Sequence, residues 1–159
     1  MTRSGLVVIA STRAASGVYE DRCGPVIAEW LTARGISTAA PVVIADGDPV
    51  DAALRSALAD GHDVIITSGG TGISPTDSTP QITAALLDYQ VPGLADAIRR
   101  AGLPQVPTSV LSRGVCGVAG RTLVVNLPGS LGGVKDGLGV LADVLDHALD
   151  QLRGKDHTR

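Results

Sequence analysis

Short, unbroken aliphatic runs constrain this chain more than any other feature. Residues 6–10 (Leu-Val-Val-Ile-Ala), 41–45 (Pro-Val-Val-Ile-Ala) and 64–67 (Val-Ile-Ile-Thr) are too short for helices and show no polar face. Runs of this length and β-branched content read as strands buried on both sides, as in a parallel sheet covered by helices. The stretches between them carry helical spacing. Residues 21–34 align Val26, Ile27, Trp30 and Leu31, and Gly35 suits the position just beyond a helix end. In the next stretch Asp48 suits an N-cap and Pro49 a first helical position, ahead of Leu54, Ala57 and Leu58. Strand, helix, strand, helix, strand is the order of an α/β domain with parallel pairing.

The second half is less regular. Ile82, Leu86 and Tyr89 mark a helix that must stop before Pro92, and a shorter one over 94–100 ends at Gly102. Val110-Leu111-Ser112 and Leu123-Val124-Val125-Asn126 read as strands flanking the glycine-rich run 114–120. A hairpin there makes the sheet mixed, though mostly parallel. One last helix aligns Leu138, Leu141, Val144, Leu145, Ala148, Leu149 and Leu152, and the tail beyond Gly154 is polar. At 159 residues, residues 1–159 are expected to form a single domain. With no Phe, one Trp and two Tyr, its core must be filled by Val, Leu, Ile and Ala.

Composition excludes several classes. A net charge of −3 is wrong for nonspecific nucleic-acid binding, and two per cent aromatics is too few for stacking single strands. No apolar run approaches membrane-spanning length, and residues 6–10 are too short for a signal peptide's apolar region, so a cytoplasmic location is expected. Cys23 and Cys116 have neither CxxC nor Cys/His ligand spacing, which fits two reduced thiols rather than a zinc site. A GxSxG nucleophile elbow is absent.

The chemistry concentrates in Thr67-Ser68-Gly69-Gly70-Thr71-Gly72-Ile73-Ser74-Pro75-Thr76-Asp77, between a strand and a helix opening at Ser78-Thr79-Pro80. A glycine turn leading from a strand into a helix gathers backbone N–H groups at a positive helix end, which suits a phosphate. Asp77 adds a carboxylate that could hold a cation beside it. The run is neither a Walker A loop, since Ile73-Ser74 follows the last glycine, nor a dinucleotide fingerprint, since Pro75 takes the third glycine's place. In an open α/β sheet, ligands lie outside the carboxyl ends of the strands. That rule brings Ser11-Thr12-Arg13, Asp46-Gly47, residues 68–77 and Asn126-Leu127-Pro128-Gly129-Ser130 to one end. Asp46 and Asp77 together could bind Mg²⁺ with substrate phosphates. Arg13, Arg113, Arg121 and Lys135 are candidate phosphate partners. His62, His147 and His157 have no acid or nucleophile at useful spacing and read as structural or solvent-facing.

Several of these residues resemble a known family. Residues 67–72, Asp77-Ser78-Thr79-Pro80 and 126–130, with Ser16-Gly17-Val18-Tyr19, Pro92-Gly93-Leu94-Ala95 and residues 111–117, look like the molybdenum-cofactor biosynthesis proteins Mog and MoaB. The fit is closest to bacterial Mog. The resemblance implies a three-layer α-β-α fold and usually a homotrimer that binds molybdopterin. Mog-type members use Mg²⁺ and ATP to adenylylate it, among other molybdenum-cofactor enzymes that would supply substrate or take product. Carried over by motif, Asp46 and Asp77 would be the catalytic, metal-holding acids. Ser68, Gly69, Gly70, Thr71 and Gly72 would contact phosphate, and Pro128, Gly129 and Ser130 would hold the pterin side. Departures are Thr76, where Arg is common, Thr12 in place of a frequent Asp, and Leu131-Gly132-Gly133 after Ser130. Two other readings are a non-catalytic or weakly active molybdopterin-binding module of MoaB type, and a fold relative acting on another nucleotide, resembling the N-terminal part of competence-damage proteins.

Overall fold

A computed structural model describes residues 2–154; His157 and the tail beyond Gly154 lie outside the described residues. Two of the aliphatic runs, 6–10 and 64–67, lie at the centre of a seven-stranded sheet; the third becomes a half-buried strand at its edge, not one buried on both faces. β1 (Arg3–Ala10), β4 (Val64–Ser68) and β7 (Thr122–Leu127) lie side by side and parallel. β1's other edge is shared by two short parallel strands, β2 (Ile36–Thr38) against its start and β3 (Val42–Ile44) against its end. Beyond β7 the sheet turns antiparallel through β6 (Cys116–Ala119) and β5 (Tyr89–Gln90). The sheet is therefore mixed and mostly parallel, as expected.

Helices cover both faces, making three layers. Val7 and Ile9 face one way, toward α2 (Cys23–Ala33), α5 (Pro92–Arg100), α6 (Leu131–Ala142) and α7 (Leu145–Leu152). Val8 and Ala10 face the other, toward α3 (Asp48–Asp60) and α4 (Thr79–Leu86). The alternation of successive strand residues between two cores is why the runs, Thr67 aside, carry no polar position. Each fully buried aliphatic side chain contributes about 1.5–3 kcal/mol, so no aromatic centre is required.

Several elements differ from expectation. The loop after β1 opens with one helical turn, α1 (Thr12–Ala15), capped by the Ser11 hydroxyl accepting from Ala14 N–H. Asp48 is the first residue of α3 and Gly47, at φ +92°, is its cap. Tyr89 is not helical, because α4 ends at Leu86 and the chain turns into the edge strand β5. Val110-Leu111-Ser112 is not a strand. Residues Pro107–Leu111 form a 3₁₀ turn with Val110 and Leu111 exposed, and the hairpin partner of β7 is β6, inside the glycine-rich run. The last helix is two, broken at Asp143-Val144.

What this arrangement does for function is set by register. Ala10 pairs with Ile44, Ile9 with Ser68 and Ser68 with Leu127, so four parallel strands end together. Their following loops share one rim.

Candidate functional site

The rim is built around Gly69 and Gly70, both in the left-handed region at φ +96° and +67°. A side chain at Gly69 would strike the Ala10 carbonyl, so β4 can hand over to the loop this close to β1 only through glycine. The Gly69 N–H donates to the Leu127 carbonyl at 3.1 Å, and the Ser68 hydroxyl to the Pro128 carbonyl at 2.7 Å. Ser68 and Gly69 thus tie this loop to the one after β7, and both are spoken for within the protein. The next three residues are different. The backbone N–H groups of Gly70, Thr71 and Gly72 have no acceptor among the described residues. They form a short row of open donors of the kind that receives an oxyanion.

Each of the loop's later glycines carries a carboxylate where its side chain would be. A Cβ on Gly70 would stand 2.8 Å from Asp46 Oδ1, and one on Gly72 2.8 Å from Asp77 Oδ2. Asp46 leaves β3 toward α1, where Thr12 Oγ1 donates to its Oδ2 at 3.1 Å and accepts from its N–H at 3.1 Å. Its Oδ1 is buried and unpartnered, as is the hydroxyl of Thr79 beside Gly70. The Asp77 carboxylate has no hydrogen-bond or ion-pair partner among the described residues. Two carboxylates with uncommitted oxygens, pressed against a loop of open N–H donors, could receive a cation and an anion together.

Two hollows meet at this loop. One, about 670 Å³, runs past Ser11, Thr12, Arg13, Cys23, Asp46 and Asp77. The other, about 470 Å³, lies toward Arg99, Leu111, Ser130 and Asp136. Gly70, Asp77 and Gly129 belong to both. The second hollow also borders Thr71, Gly72 and Pro128, so every expected site residue except Ser68, Gly69 and Asp46 touches it, and those three touch the first. Ser130 caps α6 by accepting from Gly133 N–H at 3.1 Å, while the N–H groups of Leu131 and Gly132 stay open at that helix start.

The first hollow is acidic overall, with Glu20, Asp21, Asp46 and Asp77 against Arg13 and Arg22. No group of three or more His, Cys, Asp or Glu side chains that could hold a metal occurs among the described residues. An all-protein cage is therefore not what Asp46 and Asp77 offer. Two hard oxygen ligands completed by phosphate oxygens is the usual arrangement for Mg²⁺, and these residues fit it.

Other expected residues lie elsewhere. Arg121 sits at the opposite end of the sheet, where His62 Nδ1 pairs with Ser4 Oγ at 3.2 Å. Lys135 is exposed on α6. Arg113 reaches the loop but spends donors on its carbonyls, at Gly72 (2.9 Å) and Asp77 (2.8 Å). Burial, and secondarily Asp21, pushes the Cys23 thiol up from its ordinary value, and it contacts the Gly129 carbonyl at 3.5 Å. A neutral, buried thiol is no nucleophile. Sequence reasoning missed Thr12's part in orienting Asp46; only the register of β1 with β3 reveals it.

Residues 6–147 match the family described as "Probable molybdopterin binding domain". The chain belongs to this family. A molybdenum cofactor biosynthesis bifunctional protein of Synechococcus elongatus is 38% identical over 95% of this chain and 48% of its own length, so the chain spans about half of that relative. The molybdopterin adenylyltransferase of Escherichia coli K12 is 38% identical over 86% of this chain and 75% of its own length. The molybdopterin biosynthesis Mog protein from Mycobacterium ulcerans superposes with a TM-score of 0.92 at 71% identity, covering 94% of this chain and 99% of that one. These likenesses place the chain among the Mog and MoaB members of the molybdopterin-binding family. Among the described residues no helix is long and apolar enough to cross a membrane.

Proposed function

We propose that this protein is a molybdopterin adenylyltransferase of molybdenum-cofactor biosynthesis, transferring AMP from ATP to the terminal phosphate of molybdopterin. The observation that carries this reading is the junction of two hollows at Gly70 and Asp77, with open N–H donors on the shared wall and two uncommitted carboxylates against it. Two substrates whose phosphates must meet need two cavities with one common edge.

An oxygen of the pterin's terminal phosphate forms a bond to the α-phosphorus of ATP. The bond from that phosphorus to the bridging oxygen breaks, and pyrophosphate leaves with the electron pair. The nucleophile is already an anion, so no proton has to be removed and no serine, cysteine or histidine dyad is required. The chain's work is alignment and charge neutralisation. Gly70, Thr71 and Gly72 donate backbone N–H groups to phosphate oxygens, and the open N–H groups of Leu131 and Gly132 add the positive start of α6. Pro128, Gly129 and Ser130 border the pterin side, and Ser68 holds that loop in place. Asp46 and Asp77 would hold Mg²⁺, which when bound neutralises phosphate charge and helps fix the phosphates.

The experiment is product analysis with molybdopterin, ATP and Mg²⁺, paired with thermal-shift titrations of each ligand. Stabilisation by nucleotides alone would argue for a relative acting on another nucleotide. One observation favours a second reading, a MoaB-type binding module of low activity. Thr76, exposed on the rim of the first hollow, supplies no charge where the resembled family commonly has Arg. Pterin binding without pyrophosphate release would select that reading.

The proposal also carries a cytoplasmic homotrimer in which residues 1–159 act as one unit, and exchange of substrate and product with other molybdenum-cofactor enzymes. Sedimentation equilibrium tests the assembly: three copies per particle are expected, and a monomer at micromolar concentration contradicts it.

A further inference from the structure

We infer that Arg113 is a positioning residue, which fixes the loop 72–77 in the shape that presents the Asp77 carboxylate to the site. The consequence for turnover rests on the adenylyltransferase reading; the consequence for the loop does not.

Residues 73–76 are exposed, and little else holds them. Within the loop, Asp77 N–H donates to the Ser74 carbonyl at 3.0 Å, and the Ser74 and Thr76 hydroxyls approach at 3.5 Å. Just outside it Thr79 N–H donates to the Gly70 carbonyl at 3.2 Å, and the side-chain bonds that tie its two ends together come from Arg113. Nε donates to the Gly72 carbonyl at 2.9 Å, Nη2 to the Asp77 carbonyl at 2.8 Å, and Nη1 to Gln81 Oε1 on α4 at 3.0 Å. Its own N–H donates to the Thr71 carbonyl at 2.7 Å.

Both anchored carbonyls govern the carboxylate. One belongs to Asp77 itself, bonded directly to the Cα that carries the acid. The other belongs to Gly72, against which Asp77 Oδ2 rests. A guanidinium is a rigid planar fork and can meet both carbonyls at fixed directions, whereas an ammonium is a single point. The strip carrying Arg113 is itself held, since Arg99 Nη1 on α5 donates to the Gly114 carbonyl at 2.8 Å and approaches that of Ser112 at 3.4 Å. Arg113 thus links the glycine loop, α4 and the strip before β6 without contacting either carboxylate.

The test combines two readouts on the full chain. Amide hydrogen exchange without ligand is compared for wild type, Arg113→Ala and Arg113→Lys. Steady-state pyrophosphate release is measured for the same proteins, for Asp77→Ala and for the Arg113→Ala/Asp77→Ala double variant. Exchange should accelerate at the Asp77 and Thr79 amides, which donate to the Ser74 and Gly70 carbonyls, and not elsewhere in the chain. Arg113→Ala should lower kcat by about 30-fold with each KM changed by less than about threefold, the scale of a misplaced catalytic group. In the Asp77→Ala background the same change should cost less than about twofold more, because residues acting as a unit are not additive. Added guanidinium ion should restore part of kcat to Arg113→Ala, and Arg113→Lys should recover little.

Equal losses in both backgrounds, or a KM effect on one substrate larger than the kcat effect, would show Arg113 touching substrate directly and overturn the inference. Unchanged exchange at Asp77 and Thr79, or exchange raised throughout the chain, overturns it as well. If wild type forms no product, the adenylyltransferase reading fails by itself. The exchange arm then decides alone: loosening confined to Asp77 and Thr79 supports the positioning role, and none removes it.

Discussion

Gly70 and Gly72 differ in a way that separates folding from function. At Gly70, φ is +67°, and a methyl group would strike Thr79 Oγ1 and sit 2.8 Å from Asp46 Oδ1. Gly70→Ala is therefore expected to destabilise by about 1–3 kcal/mol and to lower turnover together. Gly72 has no positive φ, and among the described residues the only close neighbour of a side chain there would be the Asp77 carboxylate. Gly72→Ala should leave the melting temperature within about 2 °C of wild type, the scale of a ΔΔG of a few tenths of a kcal/mol. Turnover should fall at least about tenfold as Asp77 is pushed aside. Thermal denaturation and steady-state kinetics on the two variants check the contrast; equal losses of stability in both would contradict it. The acids themselves were visible from their place after strands. That each is backed by a glycine was not, because nothing local in the sequence says what approaches a residue from another strand.

Among the elements, the joint between β4, α4 and β7 hangs on Asn126. Its amide nitrogen donates to Thr67 Oγ1 at 2.9 Å and Thr83 Oγ1 at 3.1 Å, and its oxygen accepts from Val115 N–H at 3.1 Å. Asn126→Leu keeps the bulk but strips three bonds from a buried position, and should destabilise by about 2–4 kcal/mol in denaturant titration. A loss under about 0.5 kcal/mol would mean the network is dispensable. The same region shows where sequence patterns fail. Glycine density at 114–120 suggests a loop, yet Gly117 lies in β6 because any side chain would hit the Tyr89 carbonyl across the edge. Val110 and Leu111 look like a strand, but no neighbouring strand is available to them and they remain exposed. β2 and β5 are three and two residues long, too short for a period to register. The break between α6 and α7 hides for the opposite reason. Leu138, Leu141, Leu145 and Leu149 all pack in one core, so the helical spacing continues across a bend. The central parallel strands were legible because burial on both faces leaves an unmistakable aliphatic run.

Across the whole molecule, the aliphatic core makes stability depend on pH through its thiols. Burial pushes Cys116 from 9.0 up to about 12. An unfolded thiol ionises near its ordinary value while the folded one stays protonated, so the folded state holds the extra proton between those limits. The contribution is full below about pH 9 and should be lost at about 1 kcal/mol per pH unit as pH rises toward 12. Urea denaturation over pH 8–11 should show this slope, and Cys116→Ala should flatten it; an unchanged slope in that variant would assign the effect to other groups. The rim where four parallel strands end is proposed to join two substrates' phosphates. The deciding measurement is pyrophosphate and adenylylated pterin formed from molybdopterin, ATP and Mg²⁺, beside Asp77→Ala. Product should require Mg²⁺ and fall at least about a hundredfold in the variant, the scale of one strong transition-state contact. Pterin bound with no product, or near-normal turnover in Asp77→Ala, would contradict it.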